Sequence, residues 1–255
     1  MAKELAFVLV DPYIISKSRT GGVLSRIVSR TGLELVAARM FGPSQELVEE
    51  YAQAIRTMKD LEPQEAELIA DYVLHKVGPD PKSGKRRRNL LLLFEGESAV
   101  SKVSKAVGHP RPHAESGETV RDTFGDFIVE EDGKPAYFEP AVFTAHSKES
   151  AGSILKLLAK YSASDGGVID DAEGVPEGED IQRTLVILKP DNFQYPSSRP
   201  GNIIDLFSAS GLRIIGAKVH RMSVAEGEEF YGPVREVLRN KLKAPVAERA
   251  TAALT

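Results

Sequence analysis

Cysteine is absent from the 255 residues. Its absence excludes disulfides, thiolate catalysis and cysteine-ligated zinc together. No apolar run approaches the length of a membrane span. The opening MAKELAFVLVDP enters an apolar stretch directly and lacks a signal-peptide pattern. The expected address is the cytoplasm, with no membrane partner. No Walker-type glycine-rich loop occurs. Charge of one sign is not in excess: a net -4 leaves no footprint of bulk nucleic-acid binding, and no nucleic-acid partner is expected. What remains, 42% apolar and 27% charged residues, is ordinary for a soluble globular protein of one large domain or two modest ones.

What the chain does contain is a repeat. Residues 7–12 read Phe-Val-Leu-Val-Asp-Pro, and 185–190 read Leu-Val-Ile-Leu-Lys-Pro. Gly22 and Gly201, Gly32 and Gly211, and Tyr51 and Phe230 stand the same distance apart along the chain, with a one-residue slip at the proline. Glu49 and Glu50 precede Tyr51 as Glu228 and Glu229 precede Phe230. Shared glycine spacing and shared flanks favour a true internal repeat over coincidence between two amphipathic stretches.

In the first copy, Leu5 to Val10 is a short apolar run closed by Asp11 and Pro12, the pattern of a buried strand. Leu24, Ile27 and Val28 recur at helical spacing, and Gly32 is placed to end that helix. A second strand is expected over 33–41, helices over 44–58 and 62–76, a strand over 90–94, and helices over 98–107 and 154–161. The loop GPDPKSGKRRRN, residues 78–89, is basic; it reads as a solvated insertion, with a phosphate-attracting rim as the alternative. Residues 162–180 hold seven acidic residues and no basic one, the composition of a solvated linker. The expected organisation is a full domain over 1–161, an acidic linker over 162–181, and the N-terminal part of a second copy over 182–255. The second copy is expected to supply strand, helix, strand, and a helix from about Val224 to Lys243. It is too short to repeat the whole first copy, so either the chain is a piece of a longer protein or a half domain docks on the full one.

TLVILKPDNFQYPSSRPGNIIDLFSASGLRIIGAKVHRMS, residues 184–223, resembles the opening of nucleoside diphosphate kinases. The specific pieces are Lys189-Pro190-Asp191 after an apolar run, Gly201 before a helix, Gly211-Leu212 before the next strand, and EEFY at 228–231. The first copy resembles the whole family domain more loosely, through LLLLFEGESAVSKVSKAVG at 90–108, Gly117-Glu118-Thr119-Val120-Arg121, and Ala145-His146-Ser147-Lys148-Glu149-Ser150. The resemblance implies an α+β fold: a ferredoxin-like antiparallel sheet with flanking helices. It implies transfer of a γ-phosphoryl group from a nucleoside triphosphate to a nucleoside diphosphate, through a phosphohistidine and with Mg²⁺. It also implies self-association, as a homo-oligomer or, with two fused copies, as an intramolecular pseudo-dimer.

Phosphoryl transfer needs a positioned nucleophile and positive groups around the moving charge. A neutral imidazole can attack and then leave. His146 is the catalytic candidate, since it keeps residue type and the spacing to Ser150. A rival alignment anchors SKESA, residues 147–151, and puts Phe143 in the nucleophile position, leaving no catalytic histidine. Arg121, Tyr51, Lys105 and Lys189 are the nucleotide-binding candidates; guanidinium pairs bidentately with phosphate. Arg111 flanks the same stretch as Lys105. His109 and His113 in HPRPH have no evident third ligand, so no resident metal is expected. The main departure is Asp11, which stands where the second copy has Lys189, and Tyr13, which replaces the aspartate after the proline. A carboxylate at a site built for an anion opposes triphosphate binding. Two functions follow: a divergent phosphotransferase using His146, or a catalytically degenerate module that keeps the fold for nucleotide binding or assembly. A ferredoxin-like binding domain with no nucleotide role is the third.

Overall fold

The computed structural model describes residues 3–110, 117–131, 135–178 and 181–254. They form two compact units, Met1–Val219 and His220–Thr255.

The first unit is built on β1 (Glu4–Val10), whose last five residues are all buried. A strand buried on both faces must be apolar throughout, and Ala6 to Val10 is. The chain turns through α1 (Pro12–Ser16), α2 (Thr20–Thr31) and β2 (Glu34–Phe41). Gly32 ends α2 in the left-handed conformation (φ 64°), with its N–H on the Val28 carbonyl. Next come α3 (Gln45–Arg56) and α4 (Pro63–Tyr72), the latter extended by a wider turn through Val77. β3 (Asn89–Gly96), α5 (Ala99–Val107), α6 (Val120–Phe124) and a hairpin of β4 (Asp126–Val129) with β5 (Pro135–Glu139) follow. Two-residue β6 (Val142–Phe143) and α7 (Lys148–Lys160) complete the first copy, with α8 (Ser162–Asp165) directly after.

The main sheet has the order β2-β3-β1-β6, antiparallel at each pairing. Leu9 faces Leu91 on one side and Phe143 on the other. This is the ferredoxin-like antiparallel sheet, with helices packed on it. Side-chain caps fix the helix starts that matter to the site: Ser44 for α3, Thr119 with Asp122 as a capping box for α6, and Ser147 for α7. The short α1 and the β4–β5 hairpin carry no clear signal in the sequence.

Two expectations of solvated segments fail together. The 162–178 stretch lies along the first copy instead of floating free. Ile169 and Ala172 enter the core, and Asp165 is buried, its carboxylate taking the Ser44 N–H and hydroxyl at 2.8 Å each. The basic loop is its partner: Arg86 pairs with Asp171, Arg87 with Glu173, and Lys85 with Glu177. Opposite charges on two polar segments neutralise each other, so the basic run is no free phosphate rim.

The second-copy strands are also corrected. Residues 182–189 and 212–223 have no regular structure; between them lie a 3₁₀ turn over Pro190–Phe193 and α9 (Arg199–Ala209). A strand exists only by pairing, and among the described residues this apolar run has no partner strand. Leu185 is 81% exposed as a result. The second unit, described by itself, is α10 (Val224–Leu254), which runs beyond the expected Lys243 and carries Pro233 and Pro245 inside it. At its start, Ser223 and Glu226 exchange backbone-to-side-chain hydrogen bonds.

Candidate active site

Four residues of the first copy converge inside the domain. Asp11 follows β1 at the start of α1 and is 2% exposed. Its N–H donates to the carbonyl of Ala141, a residue held at φ 65° in the turn before β6. Tyr51 lies on the buried face of α3. Its ring meets Phe143 edge-on at 5.3 Å, and Phe143 in turn packs on Phe7 at 6.0 Å. Arg121, in α6, is 1% exposed; its guanidinium donates to the carbonyls of Gly108 at 2.7 Å and Val142 at 3.2 Å.

Burial dominates the electrostatics here. It pushes the Asp11 carboxyl up to about 8, with Glu139 adding to the rise and Arg121 opposing it. It pulls the Arg121 guanidinium down to about 10, against the attraction of Asp11 and Tyr51. At neutral pH Asp11 therefore holds a proton and Arg121 remains charged. Asp11 Oδ2, Tyr51 Oη and Arg121 Nε are each buried without a hydrogen-bond partner. Such groups carry a desolvation penalty of roughly 1–3 kcal/mol apiece. Beside them, Tyr72 donates to Glu139 at 2.6 Å, and burial raises the Glu139 carboxyl.

His146 lies in the turn between β6 and α7, within reach of the Arg121 charge. Its Nδ1 is 2.6 Å from the Ser104 hydroxyl, and its backbone N–H donates to Asp60. Asp60 also accepts from the Ser150 hydroxyl, tying the turn to the α3–α4 connection. Burial lowers the imidazole's affinity for a proton, and the Arg121 charge adds to that. Lys105 is exposed on α5, and Lys189 is exposed in the second copy. A cavity of about 500 Å³ opens against Tyr13, Tyr72, Lys76, Glu139, Arg88 and Arg213; Arg121, Tyr51 and His146 do not line it.

No family model matches the chain. A nucleoside diphosphate kinase of Methanocaldococcus jannaschii is 26% identical over 158 residues, 62% of this chain and 94% of the relative. One from Symbiobacterium thermophilum is 33% identical over 122 residues, 48% of this chain and 69% of the relative. The chain belongs to the nucleoside diphosphate kinase family. Among solved structures, the Borrelia burgdorferi nucleoside-diphosphate kinase with vanadate and ADP shares 19% identity, with 61% of this chain and 86% of that one aligned at a TM-score of 0.47. The Aquifex aeolicus nucleoside diphosphate kinase gives 19%, 62% and 95%, at 0.41. The ferredoxin-like assignment rests on strand order and register, not on those scores.

Within this nucleoside diphosphate kinase domain, the expected site residues divide into groups. Arg121 and Tyr51 are brought together with Asp11, His146 feels the Arg121 charge without sharing a hydrogen bond with them, and Lys105 and Lys189 are exposed. Arg111 and His113 lie outside the described residues. Asp60, Ser104 and Glu139 were missed; isolated polar residues in ordinary contexts carry no sequence signal for a shared site. As for Mg²⁺, among the described residues no group of three or more His, Asp or Glu is placed to hold a metal. Asp11, the carboxylate of the cluster, is buried beside the Arg121 cation and is not presented to a metal–nucleotide complex. No helix among the described residues is long and apolar enough to cross a membrane.

Proposed function

We propose that the first copy is a catalytically degenerate nucleoside diphosphate kinase domain, retained for assembly with the second copy. The observation that carries this is Arg121. Charge stabilisation of a phosphoryl group needs a guanidinium that the nucleotide can reach. Here the guanidinium is fully buried, and its two terminal nitrogens each donate to a backbone carbonyl, of Gly108 and of Val142. Phe143 supports the same reading. β6 ends on it, Ser147 caps the following helix, and the rival alignment sets Phe143 in the nucleophile position. A phenyl ring packed between Tyr51 and Phe7 has neither nucleophile nor space for phosphate. Asp11, buried where the second copy has Lys189, leaves that position without the cation that would meet an anion.

The tandem organisation, with copies over 1–161 and 182–255, belongs to this reading, and so does an intramolecular pseudo-dimer in place of a homo-oligomer. Support comes from α2 and α9, equivalent helices of the two copies, which pack directly on each other.

The decisive experiment is intact mass spectrometry after incubation with ATP and Mg²⁺, on wild type and His146→Ala. No acid-labile phosphoryl adduct is expected on either protein, and calorimetry should show no heat with ATP or ADP. An adduct on wild type that His146→Ala removes would establish the phosphohistidine enzyme and overturn this proposal.

A further inference from the structure

The contact between α2 and α9 is nearly symmetric in backbone and strongly asymmetric in chemistry. The helices approach so closely that a Cβ added to Gly21 or Gly201 would collide with the other glycine's carbonyl. Ser18 and Ser208 meet at one end, hydroxyl to hydroxyl at 2.9 Å, and the Ser25 hydroxyl donates to the Ser198 carbonyl at 3.1 Å. Low numbers of one helix thus meet high positions of the other, as across a two-fold axis.

The start of α2 has no side-chain cap of its own; Arg19 precedes it and makes none. Its free amides at Gly21 and Gly22 donate instead to the two carboxylate oxygens of Asp205, at 2.6 and 2.7 Å. A carboxylate at a helix N-terminus satisfies orphan donors and meets the positive end of the helix dipole. By the repeat, Asp205 stands where the first copy has Arg26, and Pro200 and Gly201 stand where it has Gly21 and Gly22. The symmetry-related bond is thus deleted on both sides. Proline has no N–H to donate, and arginine has no oxygen to accept. Arg26 is engaged elsewhere, on the Gly117 and Glu118 carbonyls and the Thr123 hydroxyl.

We propose that Asp205 and the Gly21–Gly22 amides form a one-way clasp that selects pairing of the first copy with the second and disfavours pairing of two first copies. The inference deepens the internal-pair reading and rests on it. Two first copies brought together through α2 would lose both hydrogen bonds and set the Arg26 cation against a positive helix end. Two second copies would lose a donor to Pro200. The specificity therefore comes as much from the repulsive alternative as from the attractive contact.

The absence of native cysteine makes a clean test possible on the full chain. Ser18→Cys/Ser208→Cys reports the internal pair. Ser18→Cys/Ser29→Cys reports pairing between first copies, because Ser29 is the equivalent of Ser208 and lies too far from Ser18 on its own helix to bridge. Under mild oxidation the first variant is expected to form an intramolecular disulfide, and the second no disulfide between chains. Adding Asp205→Arg to the first should slow closure by about tenfold or more, and Asp205→Asn by less. If no intramolecular disulfide forms, the internal-pair reading falls. If it forms equally fast with Asp205→Arg, or if Ser18→Cys/Ser29→Cys links chains, the clasp is wrong while the internal pair stands. The degenerate-domain reading is tested separately, by mass.

Discussion

The two copies use one pattern, an apolar run, a proline, a glycine-led helix and a second glycine, and only half of it folds the same way in both. The helices form in each copy, over Thr20–Thr31 and Arg199–Ala209. The apolar run becomes the central strand β1 in the first copy and an unpaired stretch with Leu185 exposed in the second. A helix closes its hydrogen bonds within its own sequence. A strand borrows them from neighbours, so the same residues have no strand to be until β3 and β6 equivalents lie beside them. Local sequence specifies the helix, and topology specifies the strand.

The comparison extends to one position. Asp11 is buried in the first copy, and Lys189, its counterpart, is exposed in the second. If the first copy has turned its anion site into core, substitutions there should change stability rather than activity. The largest effect is expected for Arg121→Ala, which strips the buried cluster of its cation and leaves the Gly108 and Val142 carbonyls unpaired. Urea denaturation should show a loss of about 3–5 kcal/mol. A change below roughly 1 kcal/mol would return Arg121 to the role of a solvent-facing functional group.

Asp11→Asn is expected to act through pH. The folded carboxyl titrates near 8 because of burial, against an ordinary value of 3.8. Between those values the folded state holds a proton that the unfolded state has lost. The contribution of Asp11 is therefore full below the lower value, declines as pH rises and is lost once pH passes the upper one. One proton sets a limiting slope of about 1.4 kcal/mol per pH unit. Denaturation midpoints from pH 5 to 8 should fall less steeply for Asp11→Asn than for wild type; parallel profiles would mean that Asp11 is ionised throughout. The smallest effect belongs to Lys189→Ala. An exposed side chain should shift stability by less than about 0.5 kcal/mol, and a larger loss would mean that the second copy holds Lys189 in a way its exposure conceals.

Sequence periodicity was sufficient for the parts whose order is local or wholly apolar. The α2 stripe of Leu24, Ile27 and Val28 and the leucines of β3 follow the expected pattern, and the family's motifs supplied the sheet. Legibility failed where the partner lay far along the chain. Arg86 and Asp171 look like two solvated charges until the fold sets them face to face. At the candidate site, Arg121 and Tyr51 were recognisable by context, yet nothing in their residue type says whether a guanidinium faces solvent or two backbone carbonyls. The Phe143 position was legible only as one of two alignments, and its packing against Tyr51 is what gives that alignment weight.

The acidic segment between the copies has a kinetic and thermodynamic consequence. Held to the first copy at Asp165, Asp171, Glu173 and Glu177, and with Arg183 paired back to Asp170, it is a railing that starts the second copy close to the first. A short tether raises the effective concentration of its cargo into the millimolar range. Delivery of α9 to α2 is then close to a unimolecular event, so even a weak clasp closes, and dilution does not open it.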